Sequence, residues 1–260
     1  MASQPNERNH IVAGLDIGGS SIKHGLVDAI TGELSSEPGT MPITESFTPA
    51  HLTETVRRCL ALHNWDGPMG VGYPGVVIDG VARSGAHVDP AFIGVNWLET
   101  LKTLTAGPVV LLNDADAAGT AEMKFGAGKE YNSSSGGTVL VITLGTGIGS
   151  AVFHGGKLLP NTEFGHMLMG DIEAEDLAAG SVKVREGLEW GDYGARLGRF
   201  LAELEKLLTP ELIVIGGGIS EDFAHFAPYL DLRTRTVPAR FRNRAGLIGA
   251  ALAVDLGNGR

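Results

Sequence analysis

The stretch AGLDIGGSSIKHGLVD, residues 13–28, joins two apolar runs through a short loop of glycines and serines. The aliphatic and β-branched content of each run predicts two strands with a glycine turn between them. Asp16 stands at the end of the first run, where an unpaired buried carboxylate would be costly. The stretch therefore predicts a tight hairpin, and its loop is also suited to a phosphate beside a metal-facing aspartate.

The same layout recurs in GTVLVITLGTGIGSAVFHGGKLLP, residues 137–160. A dinucleotide-binding loop needs the spacing G-x-G-x-x-G between a strand and a helix, whereas both loops here lead into another strand. A phosphate-binding hairpin fits better, because glycine frees backbone amides and Ser20, Ser21 and Thr146 can add hydroxyl donors. An ordinary glycine hairpin stays open for either loop alone, but the repetition favours two phosphate loops in two related lobes.

The composition disfavours several classes of protein. The chain has 260 residues, of which 43% are hydrophobic and 19% charged, and this balance indicates a packed globular core. A net charge of −10 disfavours a general nucleic-acid or anionic-membrane surface. One cysteine, Cys59, rules out an intramolecular disulfide and fits a reducing compartment. Without an apolar signal core or a run of membrane-spanning length, we expect a soluble, cytoplasmic protein.

Strand and helix patterns alternate in both halves of the chain, which predicts an α/β architecture. We expect a smaller N-terminal lobe over residues 1–115 and a larger C-terminal lobe over residues 116–260. The closing helical run AGLIGAALAV, residues 245–254, is expected to pack back on the first lobe.

Three helical segments can be placed from their patterns. Thr48 and Pro49 predict a helix start. The apolar face of that helix comprises Leu52, Val56, Cys59 and Leu60. Residues 173–187 and 191–208 predict one further helix each.

Asn113 and Asp114 close the apolar strand PVVLLND, where side chains of an open α/β sheet meet ligands. Phosphoryl transfer to an alcohol needs a carboxylate that accepts the hydroxyl proton, and we predict Asp114 in that role. A helix cap is the competing interpretation for Asp114, and Asp116 competes for both roles. Further polar groups suited to a polyol lie on loops: Asn96, Glu163 and His166.

The segment RTRTVPARFRNR, residues 233–244, concentrates positive charge in an acidic chain. It carries Arg233, Arg235, Arg240, Arg242 and Arg244 with no acid among them. A solvated turn region and an anion-binding strip are both open at this point.

Six motifs occur in the order typical of the ROK sugar kinases, which have the actin/hexokinase fold. They are LDIGGSSIK (15–23), GYPGVV (72–77), LLNDADAAGTAE (111–122), ITLGTGIGSAVF (142–153), TEFGHM (162–167) and ELIVIGGGIS (211–220). The chain resembles this family over residues 11–255. Within it, residues 113–129, 144–166 and the arginine-rich segment most resemble the polyphosphate glucokinases, some of which also use ATP or accept mannose.

The resemblance implies an actin/hexokinase-like (ribonuclease-H-like) fold with two lobes around a cleft. It implies a polyphosphate/ATP-dependent hexokinase that phosphorylates the 6-hydroxyl of glucose, with Mg²⁺ as cofactor. Asp114 is implied as the general base, and Asp16 is implied as the residue that serves Mg²⁺, directly or through water.

Matched by position, the first phosphate loop comprises Asp16, Gly18, Gly19, Ser20 and Lys23, and the second comprises Gly145, Thr146, Gly147 and Gly149. The segment that meets the adenosine side of a nucleotide comprises Gly216, Gly217 and Gly218. The sugar site is implied to comprise Pro74, Gly75, Asn96, Asn113, Asp114, Glu163 and His166, with Glu175 as the matching acid after the GH motif.

The chain departs from the family at its zinc motif. Typical members place C-x-C-G-x-x-G-C shortly after the E-x-G-H segment, whereas MLMGDIEAEDLAAG, residues 167–180, contains no cysteine. We therefore expect no zinc site, and we interpret His166 as a sugar ligand. The polyphosphate branch also lacks this motif.

The resemblance leaves alternatives open. One is an ATP-only kinase for another hexose or for N-acetylmannosamine. A non-catalytic sugar-sensing protein is disfavoured, because few residues precede the first strand and the charge balance is acidic. The preferred donor, mannose tolerance, the choice between monomer and homodimer, and polyphosphate binding by the arginines are not decided by the sequence.

Overall fold

The structure, a computed structural model, describes residues 10–43, 47–86 and 88–256. The chain divides into two compact units. The first comprises the residues up to Ala117 together with those from Gly246 onward, and the second comprises Ala118–Ala245. Within the described ranges, no helix is long and apolar enough to span a membrane.

The first unit is built on one five-stranded sheet. Its strands are β1 (Ile11–Ile17), β2 (Ser21–Asp28), β3 (Gly39–Pro42), β4 (Met69–Tyr73) and β7 (Val109–Asn113); β5 (Val77–Ile78) and β6 (Val81–Ala82) form a separate hairpin. The sheet order is β3-β2-β1-β4-β7, antiparallel across β3, β2 and β1 and parallel across β1, β4 and β7. The helices are α1 (Pro49–Leu62), α2 (Trp97–Lys102) and the first residues of α3 (Asp114–Phe125).

The second unit contains the other five-stranded sheet. Its strands are β8 (Thr138–Leu144), β9 (Ile148–His154), β10 (Lys157–Leu159), β13 (Leu212–Gly216) and β14 (Arg235–Pro238); β11 (Leu168–Met169) and β12 (Ile172–Glu173) form a small hairpin. The sheet order is β10-β9-β8-β13-β14. The helices of this unit are the rest of α3, α4 (Ala174–Ala178), α5 (Gly180–Arg185), α6 (Trp190–Leu208) and α7 (Phe223–Phe226). Helix α8 (Ala245–Leu252) comes next in the chain and belongs to the first unit from Gly246 onward.

The two sheets share one topology. In each, an antiparallel hairpin is extended by a third antiparallel strand on one side and by two parallel strands on the other. The hairpin pairs Ile17 with Ile22 in the first sheet and Leu144 with Ile148 in the second. The α/β class and the repeated hairpins predicted from the sequence are therefore confirmed.

Helix α1 follows its sequence pattern. The Thr48 hydroxyl accepts a hydrogen bond from the His51 N–H, which caps the helix, and Pro49 occupies its first position. The four predicted apolar residues, Leu52, Val56, Cys59 and Leu60, are all buried in the core beneath the first sheet.

The prediction of one helix over residues 173–187 is wrong. Helix α4 ends at Ala178, the backbone of Ala179 is extended (φ −61°, ψ 158°), and α5 begins at Gly180. The break lets the Ser181 N–H donate to the Gly145 carbonyl at 2.9 Å instead of to a helical partner. Tertiary contact with the second glycine loop thus overrides the local helical pattern.

Strand β14 was not predicted and lies inside the arginine-rich segment. It pairs parallel with β13, with Leu212 opposite Arg235 and Ile215 opposite Pro238. Because β14 is an edge strand of its sheet, it tolerates alternating polar residues and a terminal proline.

Helix α8 packs against the first sheet at two glycines. A Cβ on Gly14 of β1 would overlap the Leu247 carbonyl oxygen, and a Cβ on Gly70 of β4 would overlap the Ala250 carbonyl. These glycines therefore let helix backbone approach strand backbone more closely than any side chain allows.

We expect Gly70→Ala to lower the free energy of unfolding by about 2 kcal/mol or more, because the added methyl meets backbone that cannot rotate away. Gly25→Ala is the matched control, since Gly25 lies in the same sheet and its Cβ would meet neighbours only at 3.4–3.6 Å. Urea denaturation of both variants measures the difference. Equal stability of the two variants would contradict the close approach of α8.

Candidate functional site

The carboxyl ends of three parallel strands place two aspartates beside one glycine. Asp16 of β1 is paired with Gly72 of β4, and Asp114 directly follows β7. A Cβ on Gly72 would lie 3.6 Å from Asp16 Oδ1 and 3.4 Å from the Asp114 Cα. The Asp16 carboxylate and the start of α3 are therefore both within van der Waals range of Gly72, at the carboxyl ends of these strands.

The Asp16 side chain is largely enclosed. Its exposed fraction is 13%, and burial raises the pKa of its carboxyl although the Lys23 ammonium lies 3.4 Å from Oδ2. Gly246 of α8 backs on the same carboxylate, since a Cβ there would lie 2.6 Å from Asp16 Cγ. Asp16 is thus a desolvated carboxylate held between a lysine and a helix backbone.

Asn113 caps helix α3, which separates the roles of Asp114 and Asp116. The Asn113 Oδ1 accepts the Asp116 N–H at 3.0 Å, and the Asn113 Nδ2 donates to the Gly75 carbonyl at 3.2 Å. Asp116 is buried, with 1% of its surface exposed, whereas Asp114 is half-buried. Asp114 is therefore the more accessible carboxylate at the end of β7, and the cap is supplied by Asn113.

The other predicted sugar residues of the first unit also have structural contacts. Pro74 accepts the Ala86 N–H at 2.8 Å, and Gly75 (φ +154°) leaves no room for a Cβ, which would lie 2.6 Å from the Ser84 carbonyl oxygen. The exposed Asn96 caps α2 through an Oδ1 that accepts the Glu99 N–H at 3.1 Å. Their roles in sugar binding stay predictions.

Each predicted phosphate loop closes on its own backbone. Gly18 N–H donates to the Ser21 carbonyl at 2.9 Å in the first loop, and Gly145 N–H donates to the Gly147 carbonyl at 3.1 Å in the second. Gly19, Ser20, Gly145 and Thr146 are exposed, so the tips of both loops are accessible to a ligand.

Ser181 holds the second loop from behind, and sequence reasoning did not identify it. Its N–H donates to the Gly145 carbonyl at 2.9 Å, and its hydroxyl donates to the Thr146 carbonyl at 2.7 Å. Both carbonyls are therefore engaged with the protein. Nothing in the spacing of Ser181 from the loop indicates this contact, which depends on the break between α4 and α5.

Gly217 brings the predicted nucleotide segment against the second loop. It has φ +78°, and a Cβ would overlap the backbone of Leu144, the residue that precedes Gly145. Only glycine fits this position, since it is both left-handed and in contact with backbone. Gly216, Gly217 and Gly218 are thereby placed next to the second loop.

A histidine and three glutamates form a second polar cluster. The His166 Nδ1 lies 2.7 Å from Glu173 Oε2, and this hydrogen bond is the main cause of the raised pKa of His166. Burial raises the pKa of Glu163, with Glu175 contributing in the same direction. Glu173 was not predicted. It engages one ring nitrogen of His166, which leaves Nε2 as the ring atom for another partner.

Glu175 links this cluster to the second loop. Its Oε2 accepts the Ile148 N–H at 3.3 Å, and a Cβ on Gly147 would lie 2.5 Å from the same oxygen. Gly147 therefore allows a carboxylate to lie close to the backbone of the second loop.

The cluster offers the ligand types of a divalent metal as well as those of a sugar. His166, Glu173 and Glu175 each present a ligand atom within 4.8 Å of the others. Imidazole and carboxylate suit zinc, and they also accept and donate hydrogen bonds to hydroxyls. The geometry permits both interpretations of His166.

Comparison with known proteins reveals close relatives. The sequence profile described as "ROK family" matches residues 12–187. The chain is 44% identical over 241 residues to a polyphosphate glucokinase of Mycobacterium tuberculosis (strain CDC 1551 / Oshkosh), covering 92% of this chain and 89% of that protein. It is 41% identical to the inorganic polyphosphate/ATP-glucomannokinase of Arthrobacter sp. strain KM, with a TM-score of 0.87 over 93% of this chain and 97% of that chain.

A more distant structure supports the fold. A ROK family glucokinase from Streptomyces griseus is 22% identical and has a TM-score of 0.79 over 93% of this chain and 98% of that one. Together these structures confirm the actin/hexokinase-like class that the motifs imply.

We expect Glu173→Gln to lower the pKa of His166, because the charged hydrogen-bond acceptor of its Nδ1 is lost. Since the folded-state pKa is raised, the stabilisation from this pair is complete below the ordinary histidine pKa while Glu173 is ionised. It is lost as the pH rises through the folded pKa. An NMR titration of the imidazole protons measures the shift.

Glu163→Gln is the control for this titration, because Glu163 makes the weakest of the charge contributions to His166. It should lower the pKa of His166 less than Glu173→Gln does. A larger decrease with Glu163→Gln would contradict the pairing of His166 with Glu173.

Proposed function

We propose that this chain, which belongs to the ROK family, transfers a phosphoryl group from polyphosphate or ATP to the 6-hydroxyl of glucose. The polyphosphate glucokinases and the polyphosphate/ATP-glucomannokinase among its relatives support a polyphosphate-dependent glucose kinase. The structural observation that carries the proposal is the pair Asp16 and Asp114 on either side of Gly72, since phosphoryl transfer to an alcohol needs one carboxylate for the proton and one for the metal.

Asp114 is proposed as the general base. It is half-buried at the end of β7, and its backbone is fixed in the first turn of α3 by the Asn113 cap. A positioned carboxylate at this point can accept the proton of a sugar hydroxyl as the oxygen attacks the phosphoryl group. Asp116 is too deeply buried to reach a substrate in the same way.

Asp16 is proposed to serve Mg²⁺. Oxygen ligands suit this ion, and a carboxylate whose pKa is raised by burial gains from a second cation beside Lys23. When bound, Mg²⁺ would neutralise negative charge on the phosphoryl group. Lys23 would add a further positive charge at the same loop.

The two glycine loops are proposed to bind donor phosphates through exposed backbone amides. In the second loop, Ser181 engages the carbonyls of Gly145 and Thr146, so these groups are directed toward the protein. Glu163, His166 and Glu175 are proposed as ligands of sugar hydroxyls, for which carboxylate and imidazole supply the hydrogen bonds. The alternative of an ATP-only kinase for another hexose is not favoured, given the relatives.

An assay with glucose and Mg²⁺ and a single donor tests the proposal. We expect glucose 6-phosphate to form with polyphosphate and also with ATP, measured by coupled dehydrogenase assay. Mannose in place of glucose tests the breadth of the acceptor. If no glucose 6-phosphate forms with either donor, the kinase proposal is overturned. Activity with ATP alone would overturn the use of polyphosphate.

We expect the Asp114→Asn variant to keep nearly the same affinity for glucose while its kcat falls by about 10²-fold or more, because the amide cannot accept the hydroxyl proton. Glucose binding is measured by calorimetry and turnover with both donors. Asp116→Asn is the control, since Asp116 is buried and competes for the same role. It should alter the melting temperature more than kcat; a folded Asp116→Asn with the greater loss of turnover would move the base to Asp116.

A further inference from the structure

The arginine-rich segment presents positive charge that the protein leaves mostly unneutralised. All five of its arginines are exposed. Arg233 forms an ion pair with Glu205 at 3.2 Å, and the other four have no carboxylate within salt-bridge distance among the described residues. Four uncompensated guanidinium groups on a chain of net charge −10 mark a candidate anion site.

These arginines lie in two groups, one at each end of strand β14. Arg233 and Arg235 lie at its amino end, opposite the start of β13. Arg240, Arg242 and Arg244 follow its carboxyl end, at the edge where β13 runs into Gly216. Ligands of open α/β sheets bind beyond carboxyl ends of strands, so only the second group lies where a donor phosphate is expected.

Local packing ties that second group to the glycine segment. The Ala239 N–H donates to the Ile215 carbonyl at 2.8 Å, and a Cβ on Gly216 would lie 3.6 Å from Ala239 Cβ. The 3₁₀ turn Arg242–Arg244 packs against the 3₁₀ turn Gly218–Asp222. The three arginines are therefore neighbours of the segment that the family resemblance assigns to the adenosine side of a nucleotide donor.

A buried glutamate holds the backbone of this group. Glu122 is fully buried, and its carboxylate accepts N–H groups from Arg240 at 3.0 Å, Phe241 at 2.8 Å and Ala127 at 2.8 Å. The guanidinium of Arg240 donates to the Phe125 carbonyl at 2.7 Å instead of to an acid. The buried negative charge is thus satisfied by amides, and the arginine charges stay available to an anion.

The backbone at Arg242 is held in an unfavourable conformation. Its φ is +51°, in the left-handed region that non-glycine residues seldom adopt. Such a conformation persists only where the surroundings impose it, and it is often found at ligand sites. Here it lies one residue after Phe241, whose N–H is fixed by Glu122.

We propose that Arg240, Arg242 and Arg244 bind the polyphosphate chain and that Glu122 is the positioning residue of this subsite. The inference rests on the proposed use of polyphosphate. A polyphosphate carries negative charge on every unit, so a row of cations gains contacts as the chain lengthens, whereas ATP ends in a nucleoside after three phosphates. Arg233 and Arg235 are not part of the subsite.

The double variant Arg242→Gln/Arg244→Gln tests the subsite. The control is Arg233→Gln/Arg235→Gln, which removes the same number of positive charges at the amino end of β14. We expect KM for long-chain polyphosphate to rise about tenfold or more in the first variant, with a much smaller rise for ATP. The loss should grow with polyphosphate chain length, and the salt dependence of KM should become shallower. The control should retain the KM values of the wild type.

Glu122→Gln tests the positioning role, because it keeps the size of the side chain and removes one of two acceptor oxygens. We expect KM for polyphosphate to rise several-fold while kcat with ATP and KM for glucose change by less than about twofold. Glu205→Gln is the matched control. Glu205 is also buried, and it accepts the N–H of Thr234, near the amino end of the arginine-rich segment, at 2.6 Å. It should lower the melting temperature without the change in KM for polyphosphate.

The outcomes distinguish this inference from the proposed function. If the wild type uses polyphosphate and the Arg242/Arg244 variant does so equally well, the subsite is overturned and the function stands. Equal losses in the two arginine double variants would also overturn it. Parallel losses of ATP and polyphosphate use in Glu122→Gln would overturn the positioning role. A wild type that is silent with polyphosphate and active with ATP would overturn both the polyphosphate function and the subsite.

Discussion

The first unit depends on close contacts at glycines, where a side chain would collide with neighbouring backbone or with a carboxylate. Gly14 and Gly70 admit the backbone of α8 onto the sheet, and Gly246 of that helix then lies directly on the Asp16 carboxylate. On the next strand, Gly72 lies between the same carboxylate and the start of α3. A side chain at Gly14, Gly70 or Gly246 would separate α8 from the sheet or displace Asp16. The proposed chemistry is therefore placed by residues that have no side chain.

Buried and half-buried carboxylates serve two different purposes in this protein. Glu122 and Glu205 accept backbone N–H groups, and they fix the segment in which the arginines lie. Asp16 faces a lysine and has a pKa raised by burial, which suits a group that meets a cation. Amide partners satisfy a carboxylate permanently, whereas a single lysine leaves it able to bind more positive charge. The hydrogen-bond partners, and not the residue type, therefore distinguish Glu122 and Glu205, which hold backbone, from Asp16, which is proposed to serve Mg²⁺.

The sequence was sufficient for elements whose signals are local. Alternating apolar runs and glycine loops predicted both hairpins, and a Thr-Pro start with periodic apolar residues predicted α1. It was insufficient where a distant contact decides the outcome. The helix predicted over residues 173–187 is interrupted because Ser181 donates a hydrogen bond to a loop more than thirty residues earlier. Strand β14 forms because it pairs with β13. Glu122, Glu173 and Ser181 act through partners that no spacing rule connects to them.

Glu122 fixes the length of the segment that follows it at the end of helix α3. Its carboxylate accepts the Ala127 N–H five residues later as well as the N–H groups of Arg240 and Phe241. An insertion or deletion between Glu122 and Ala127 would therefore remove a hydrogen bond from a fully buried carboxylate. Homologues that keep this glutamate should show no length change between the two positions, and length variation should instead be confined to the loops beyond them.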